Sequence, residues 1–162
     1  MIIIITGTPG TGKTKIAKLI AKKLELKYID VNKIINKENL KEKYEKDRQT
    51  HIVDEKKLAN LLNKLAKTNP KIVIDSHMSH YMDPKLVDLC IVTKCDLKTL
   101  KKRLEKRKYS SEKIRENLDA EIFDICFNES LEAGFKIKVI DTTKNISENM
   151  IKQLKNDKNK NK

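Results

Sequence analysis

No stretch of this sequence approaches the roughly 20 apolar residues that a membrane-spanning helix requires. The short apolar run at its start, Ile2 to Ile5, has no basic region ahead of it, unlike a secretory signal. The expectation is a cytoplasmic protein with no membrane partner. Cysteine is sparse as well. Cys90, Cys95 and Cys126 are odd in number and form no C-x-x-C pair, which points to free thiols in a reducing compartment rather than to disulfides. No repeat with a period of about 20 to 50 residues is present. At 162 residues the chain suits one domain with a real core.

Arginine is scarce too. Of 36 Lys+Arg residues only Arg48, Arg103, Arg107 and Arg115 are arginines, and against 23 Asp+Glu the formal charge is +13. That balance favours contact with nucleic acid or another polyanion. Codon bias or adaptation to high temperature accounts for a lysine-rich surface equally well. After Leu154 there is no large apolar side chain, so residues 155–162 read as a solvated basic tail beyond a single domain of residues 1–154.

What the sequence does have begins at Gly7. Gly7-Thr8-Pro9-Gly10-Thr11-Gly12-Lys13-Thr14 is a G-x4-G-K-T phosphate-binding loop lying directly after the apolar run. Glycines let the backbone turn tightly and aim its amides at a phosphate; Lys13 can reach the terminal phosphates and the Thr14 hydroxyl can ligate Mg2+. Ile16, Ala17, Leu19, Ile20, Ala21 and Leu24 recur at helical spacing, so a helix starts at the loop with its positive end toward the anion. Gly10, Thr11, Gly12, Lys13, Thr14 and Lys15 form the candidate nucleotide-binding set, which marks a nucleotide triphosphatase or a kinase.

Lys27 to Asp30 predicts a second strand, and Val31 to Tyr44 a weak helical pattern that is polar, poorly cored and mobile. Asp54 caps a helix containing Leu58, Leu61, Leu62 and Leu65, which stops before Asn69-Pro70. Lys71 to Asp75 predicts a central strand buried on both faces, with Asp75 at its carboxyl end. Leu89 to Val92 is another strand. Leu97, Leu100 and Leu104 give one stripe on a basic helix that carries Arg103 and Arg107 on one face. The polar stretch Lys106 to Glu116 leads into a long helix marked by Ile114, Leu118, Ile122, Ile125 and Leu131, closing near Gly134. Ile137 to Ile140 is the last strand, and Ile146, Met150, Ile151 and Leu154 mark the last helix. The alternation predicts an α/β fold: a five-stranded parallel sheet with helices on both faces, in three layers, with the ligand site at the carboxyl ends of the strands.

In this order the motifs resemble the P-loop nucleoside monophosphate kinases, and more closely the adenylate kinase isoenzyme six family, the dual adenylate kinase and ATPase group of archaea and eukaryotes. The resemblance rests on the loop, on Leu26-Lys27-Tyr28-Ile29, on Ile52-Val53-Asp54-Glu55, on Val73-Ile74-Asp75-Ser76-His77, on Arg103 to Tyr109 and on Asn117 through Phe123. It implies ATP + AMP = 2 ADP with ATPase activity and breadth in the monophosphate. It further implies a monophosphate-binding segment at about residues 30–53, a lid at about 106–116 with Arg107 against ATP, and a role in small ribosomal subunit maturation and rRNA processing. The partners so implied are a small-subunit ribosomal protein and rRNA. Two departures stand out: Asn36 occupies a position where the family often has arginine, leaving Lys33, Lys37 or Arg48 as replacements, and Lys15 follows Thr14 where a small or hydroxylated residue is usual.

The remaining candidates follow from what phosphoryl transfer needs: alignment, Mg2+ and positive charge where negative charge spreads. Lys13 is the first catalytic candidate. Asp75, with Thr14, can hold Mg2+; the alternative for Asp75 is a cap or turn residue. His77, two residues on, points to the same side in an extended segment and can position water, although a lone histidine is more often structural. His51 and His80 read as surface residues. Arg107 can clamp the transferring phosphate with Arg103 as helper; the alternative is an ordinary solvated helix end. Two other functions stay in view: an assembly ATPase whose nucleotide cycle controls its hold on a ribosomal protein, and, ranked last, a shikimate or cytidylate kinase.

Overall fold

Four consecutive isoleucines cannot alternate between core and solvent, so β1 (Ile2–Thr6) requires apolar cover on both faces. A computed structural model, which describes residues 1–46 and 50–144, supplies it. After β1 come α1 (Lys13–Leu24), β2 (Lys27–Asp30), α2 (Val31–Lys37), β3 (Lys41–Glu45), β4 (Thr50–Val53) and α3 (Glu55–Thr68). They are followed by β5 (Ile72–Asp75), two single 3-10 turns, β6 (Leu89–Lys94), α4 (Leu97–Lys106), α5 (Ser111–Ile122), α6 (Ile125–Glu132) and β7 (Ile137–Asp141).

Five strands form one parallel sheet in the order β2-β5-β1-β6-β7. β1 lies at its centre, with Ile4 opposite Ile74 on one side and Cys90 on the other. Side chains divide by parity. Ile4, Ile72, Ile74, Cys90 and Val92 pack with Leu58, Leu62 and Ala66 of α3, whereas Ile3, Ile5, Val73 and Ile91 pack with Ile16, Ala17 and Ile20 of α1. The three-layer expectation is met, and the loop after β1 emerges at the carboxyl edge of the sheet beside the ends of β5 and β6.

The structure corrects the reading of residues 31–44. The helix stops at Lys37, Asn39 takes φ 50°, and residues 41–45 pair antiparallel with β4 as a hairpin. α2 is not poorly cored either: Val31 and Ile35 are buried in the same cluster as α3. The long helix predicted from Ile114 to Leu131 is two helices, broken where Asp124 adopts a left-handed φ of 53°. Ile122, Ile125 and Leu131 are therefore exposed rather than a core stripe, while Ile114 and Leu118 pack on Leu100 and Leu104. Between α4 and α5 only residues 107–110 are non-helical. Arg48, the expected helix over 146–154 and the tail 155–162 lie outside the described residues.

Candidate active site

Three glycines of the loop have positive φ: Gly7 at 137°, Gly10 at 96° and Gly12 at 88°. Gly10 shows the reason, because a Cβ there would stand 2.7 Å from Leu100 Cδ1; α4 seats against bare backbone. Gly12 turns the chain into α1, whose first turn has no side-chain cap. The positive end of that helix is thus left to an anion.

Lys13 reaches back over the loop, and its Nζ donates to the carbonyls of Gly7 at 2.6 Å and Thr8 at 3.0 Å. Burial pulls its pKa down to about 8, opposed by Cys126 and Asp75, aided by Arg107 and opposed again by Glu121. Thr11 is fully buried and holds the loop's shape. Its hydroxyl lies 2.7 Å from both the Thr8 carbonyl and Thr93 Oγ1, and its own carbonyl accepts from Thr142 Oγ1 at 2.6 Å.

Asp75, buried at the end of β5, receives the Thr14 hydroxyl at 2.7 Å and the Tyr28 hydroxyl at 2.9 Å on the same oxygen. Burial first, and then this hydrogen bond, raise the Tyr28 pKa well above the usual phenol range. Thr14 and Asp75 are adjacent hard oxygen donors, a pair that fits Mg2+ completed by nucleotide phosphates and water. Among the described residues no group of three or more His, Cys, Asp or Glu is placed to hold a metal by itself.

Among the described residues, two large hollows flank the loop. One, of 610 Å3, is lined by Lys15, Arg103, Lys106, Arg107, Thr142 and Lys144, together with Gly10 and Gly12, and no carboxylate lines it. The other, of 880 Å3, opens between Lys13, Asp75, His77, the β3-β4 hairpin and α5. Arg107 lines both. It is exposed at the C-terminal cap of α4, whereas Arg103 is already engaged: its guanidinium donates to the Thr142 carbonyl at 2.7 Å, Thr142 Oγ1 at 3.1 Å and the Gly10 carbonyl at 3.4 Å. Both arginines line the smaller hollow, Arg103 with its guanidinium bonded to protein acceptors and Arg107 exposed.

His77 lines the same cleft as Asp75, with an exposed edge. Desolvation, then the charges of Lys13, His80 and Lys113, lower its pKa to about 4. His51 is at the surface, tilted against Tyr44 with ring centroids 4.8 Å apart. His80 is not: only 9% of it is exposed, because the 3-10 turn after β5 folds it beneath the cleft. Its ring packs on Tyr81, and Glu129 Oε2 is 3.3 Å from Nε2. Burial lowers its pKa against the pull of Glu129.

Residues 3–124 match the model of the AAA domain family. A Methanocaldococcus jannaschii protein named "Putative adenylate kinase" is 37% identical over 95% of this chain and 84% of its own length. The Saccharomyces cerevisiae "Adenylate kinase isoenzyme 6 homolog FAP7" is 35% identical over 94% of this chain and 77% of its own. The chain belongs to the adenylate kinase isoenzyme six family. Among solved structures, a shikimate kinase from Acinetobacter baumannii superposes with a TM-score of 0.69 at 15% identity, covering 99% of this chain and 94% of the other. A deoxyadenosine kinase from M. mycoides with bound dATP gives 0.61 at 19%, covering 98% and 100%. At such identities these likenesses show the fold, which this family member shares with other small kinases.

Two residues of this family member's site escaped the sequence reading. Glu121, 8% exposed, accepts the Thr8 hydroxyl at 2.6 Å and the Cys95 amide at 3.0 Å. Thr142, just past β7, connects Thr11 to Arg103. Glu121 stood within a stretch that carries the family resemblance, but nothing in its spacing marks it as a support of the phosphate loop. Thr142 has no sequence signal.

Proposed function

We propose that this chain is a nucleoside monophosphate kinase that transfers the terminal phosphoryl group of ATP to AMP and runs equally in reverse from two ADP. The observation that carries the reading is the position of Lys13 and its loop between two hollows, with Arg107 lining both. The cationic hollow beside Lys15, Arg107 and Thr142 to Lys144 suits the donor. The larger cleft, walled by the hairpin and by Asn32 of α2, suits the acceptor. Residues 30–53 then serve as the monophosphate-binding segment and residues 106–116 as the lid, with residues 1–154 one catalytic domain.

In transfer an acceptor phosphate oxygen forms a bond to the γ-phosphorus while the bond to the β,γ-bridging oxygen breaks, leaving ADP on each side. The protein supplies position and charge. The loop amides and Lys13 hold the β- and γ-phosphates, Lys13 exchanging the carbonyls of Gly7 and Thr8 for phosphate oxygens. Arg107, at the border of the hollows, bears on the oxygens in transit. Thr14 and Asp75 would hold Mg2+, which when bound screens the phosphate charge. With the acceptor site empty, His77, neutral at physiological pH, accepts a hydrogen bond from a water in the cleft and directs it to the γ-phosphate; this is the slow ATPase activity.

The charge of +13 and the family membership support a cytoplasmic role beside a small-subunit ribosomal protein and rRNA during maturation of that subunit. A coupled assay over a panel of monophosphates tests the enzyme. No transfer to any acceptor at high protein concentration would remove the kinase reading and leave the assembly ATPase, which pull-down with and without ATP then probes.

A further inference from the structure

We propose that Glu121 is a positioning residue for phosphoryl transfer, fixing the phosphate loop and the helix behind the lid turn in one register. The proposal rests on the kinase reading above but concerns a residue that touches neither substrate.

Glu121 uses both oxygens inside the protein. Oε2 takes the hydroxyl of Thr8, a loop residue 1% exposed, and Oε1 takes the amide of Cys95 at the exit of β6. Three elements therefore meet at one carboxylate: the loop, the end of β6 and α5. Thr8 is also one of the two residues whose carbonyls hold Lys13, so the hydroxyl side of Thr8 faces Glu121 while its carbonyl side faces the catalytic ammonium. A shift of Glu121 is passed to Lys13 through one residue.

The other end of the connection is α5. One turn past Glu121 the chain breaks at Asp124, which pairs with Lys94, the neighbour of Cys95. The chain at the C-terminal end of α5 is thus tied to two consecutive residues, Lys94 and Cys95, where β6 ends. Toward its N-terminus the same helix carries Lys113, Glu116 and Asn117 into the acceptor cleft, directly after residues 107–110. Glu121 sits where the cleft wall joins the phosphate loop, on the helix that continues from the segment assigned as lid.

E121Q is the sharpest test, because the amide keeps the shape: its oxygen still accepts from Cys95, and its NH2 donates to Thr8. The expected result is a fall in kcat of roughly 10- to 100-fold, as for misplaced catalytic groups, with KM for both nucleotides within about threefold of wild type. In amide NMR spectra of the nucleotide-free protein, residues 7–13 and residues 107–110 should shift together in E121Q, a readout that does not depend on turnover. T8V should reproduce the loss in kcat and T8S should restore activity to near that of wild type. Should E121Q melt below the assay temperature, the T8V and T8S pair decides.

The proposal is overturned if E121Q retains kcat within about twofold, if only KM rises, if the amides of residues 107–110 stay in place, or if T8V matches T8S. A wild-type protein without transfer activity sinks the kinase reading instead, and the amide shifts still judge the coupling through Glu121.

Discussion

The hydroxyl of Thr14, at the start of α1, donates to Asp75 Oδ2 at 2.7 Å, joining two residues 61 positions apart. Tyr28 adds a second donor to the same oxygen. The carboxylate is therefore oriented before any nucleotide arrives, with its other oxygen left for a further contact. Preorganisation of this kind is what a metal-bearing phosphate site needs, because a ligand already aligned loses little freedom on binding.

Asp75→Asn keeps the shape of that arrangement and removes its charge. The Mg2+ concentration for half-maximal transfer at fixed ATP should rise by roughly 10- to 100-fold, the range typical for disturbed metal-site ligands and their supports. Tyr28→Phe should give a smaller rise, since the Thr14 bond remains. An unchanged Mg2+ dependence in Asp75→Asn would return Asp75 to the role of a turn residue.

Arg103 and Arg107 should separate in experiment, because one guanidinium is bonded within the protein and the other is exposed. Arg103→Ala leaves the Thr142 carbonyl without its closest donor and loosens the contact with Gly10, so the fold should lose on the order of 1–3 kcal/mol. Arg107→Ala removes an exposed side chain and should leave the Tm within a degree or two of wild type (about 0.5 kcal/mol), yet lower kcat by about 100-fold if it meets the transferring phosphate. Denaturant melts and steady-state kinetics on the two variants check both halves. Equal losses of stability would refute the division.

Much of this was legible because the chemistry is local. The G-x4-G-K-T loop needs only its own neighbours to be recognised, and Lys27 to Asp30 and the Asp54 cap were read from adjacent residues. The misses share a cause. The hairpin strand Lys41–Glu45 is polar and exposed, so no apolar period announces it; its pairing with β4 decides. The break at Asp124 depends on a left-handed backbone that aspartate adopts without an obvious motif. His80 looked like a surface residue because burial by a 3-10 turn leaves no trace in spacing. Glu121 is readable only when Thr8, 113 positions away, is known to lie against it.

His77 should titrate near pH 4 rather than near 6.5, and a histidine NMR titration reads this directly. Because the folded pKa lies below the unfolded one, the unfolded chain binds more protons between these values. Stability is thus full above about pH 6.5 and declines as pH falls toward 4, with the lowered pKa of His80 acting in the same direction. His77→Ala should flatten that part of the profile and reduce ATP hydrolysis more than transfer to AMP. Equal loss of both activities would remove His77 from the water-positioning role.

Lys13→Ala should abolish transfer and hydrolysis together, by about 100-fold or more, since both reactions develop charge on the same phosphate oxygens. The lysine's own protonation gives a second, independent check. Its pKa of about 8 in the folded protein, against 10.5 for the free side chain, means that the unfolded chain binds more protons between these pH values. Stability of the wild type relative to Lys13→Met should therefore increase as pH rises from 8 to 10.5, by at most about 3 kcal/mol, while below pH 8 the difference stays flat. Urea melts of both proteins across this range measure it. Bound nucleotide should erase the effect by restoring the charged form, because its phosphates face the ammonium directly; persistence of the same slope with saturating Mg-ATP would mean that Lys13 does not meet the phosphates at all.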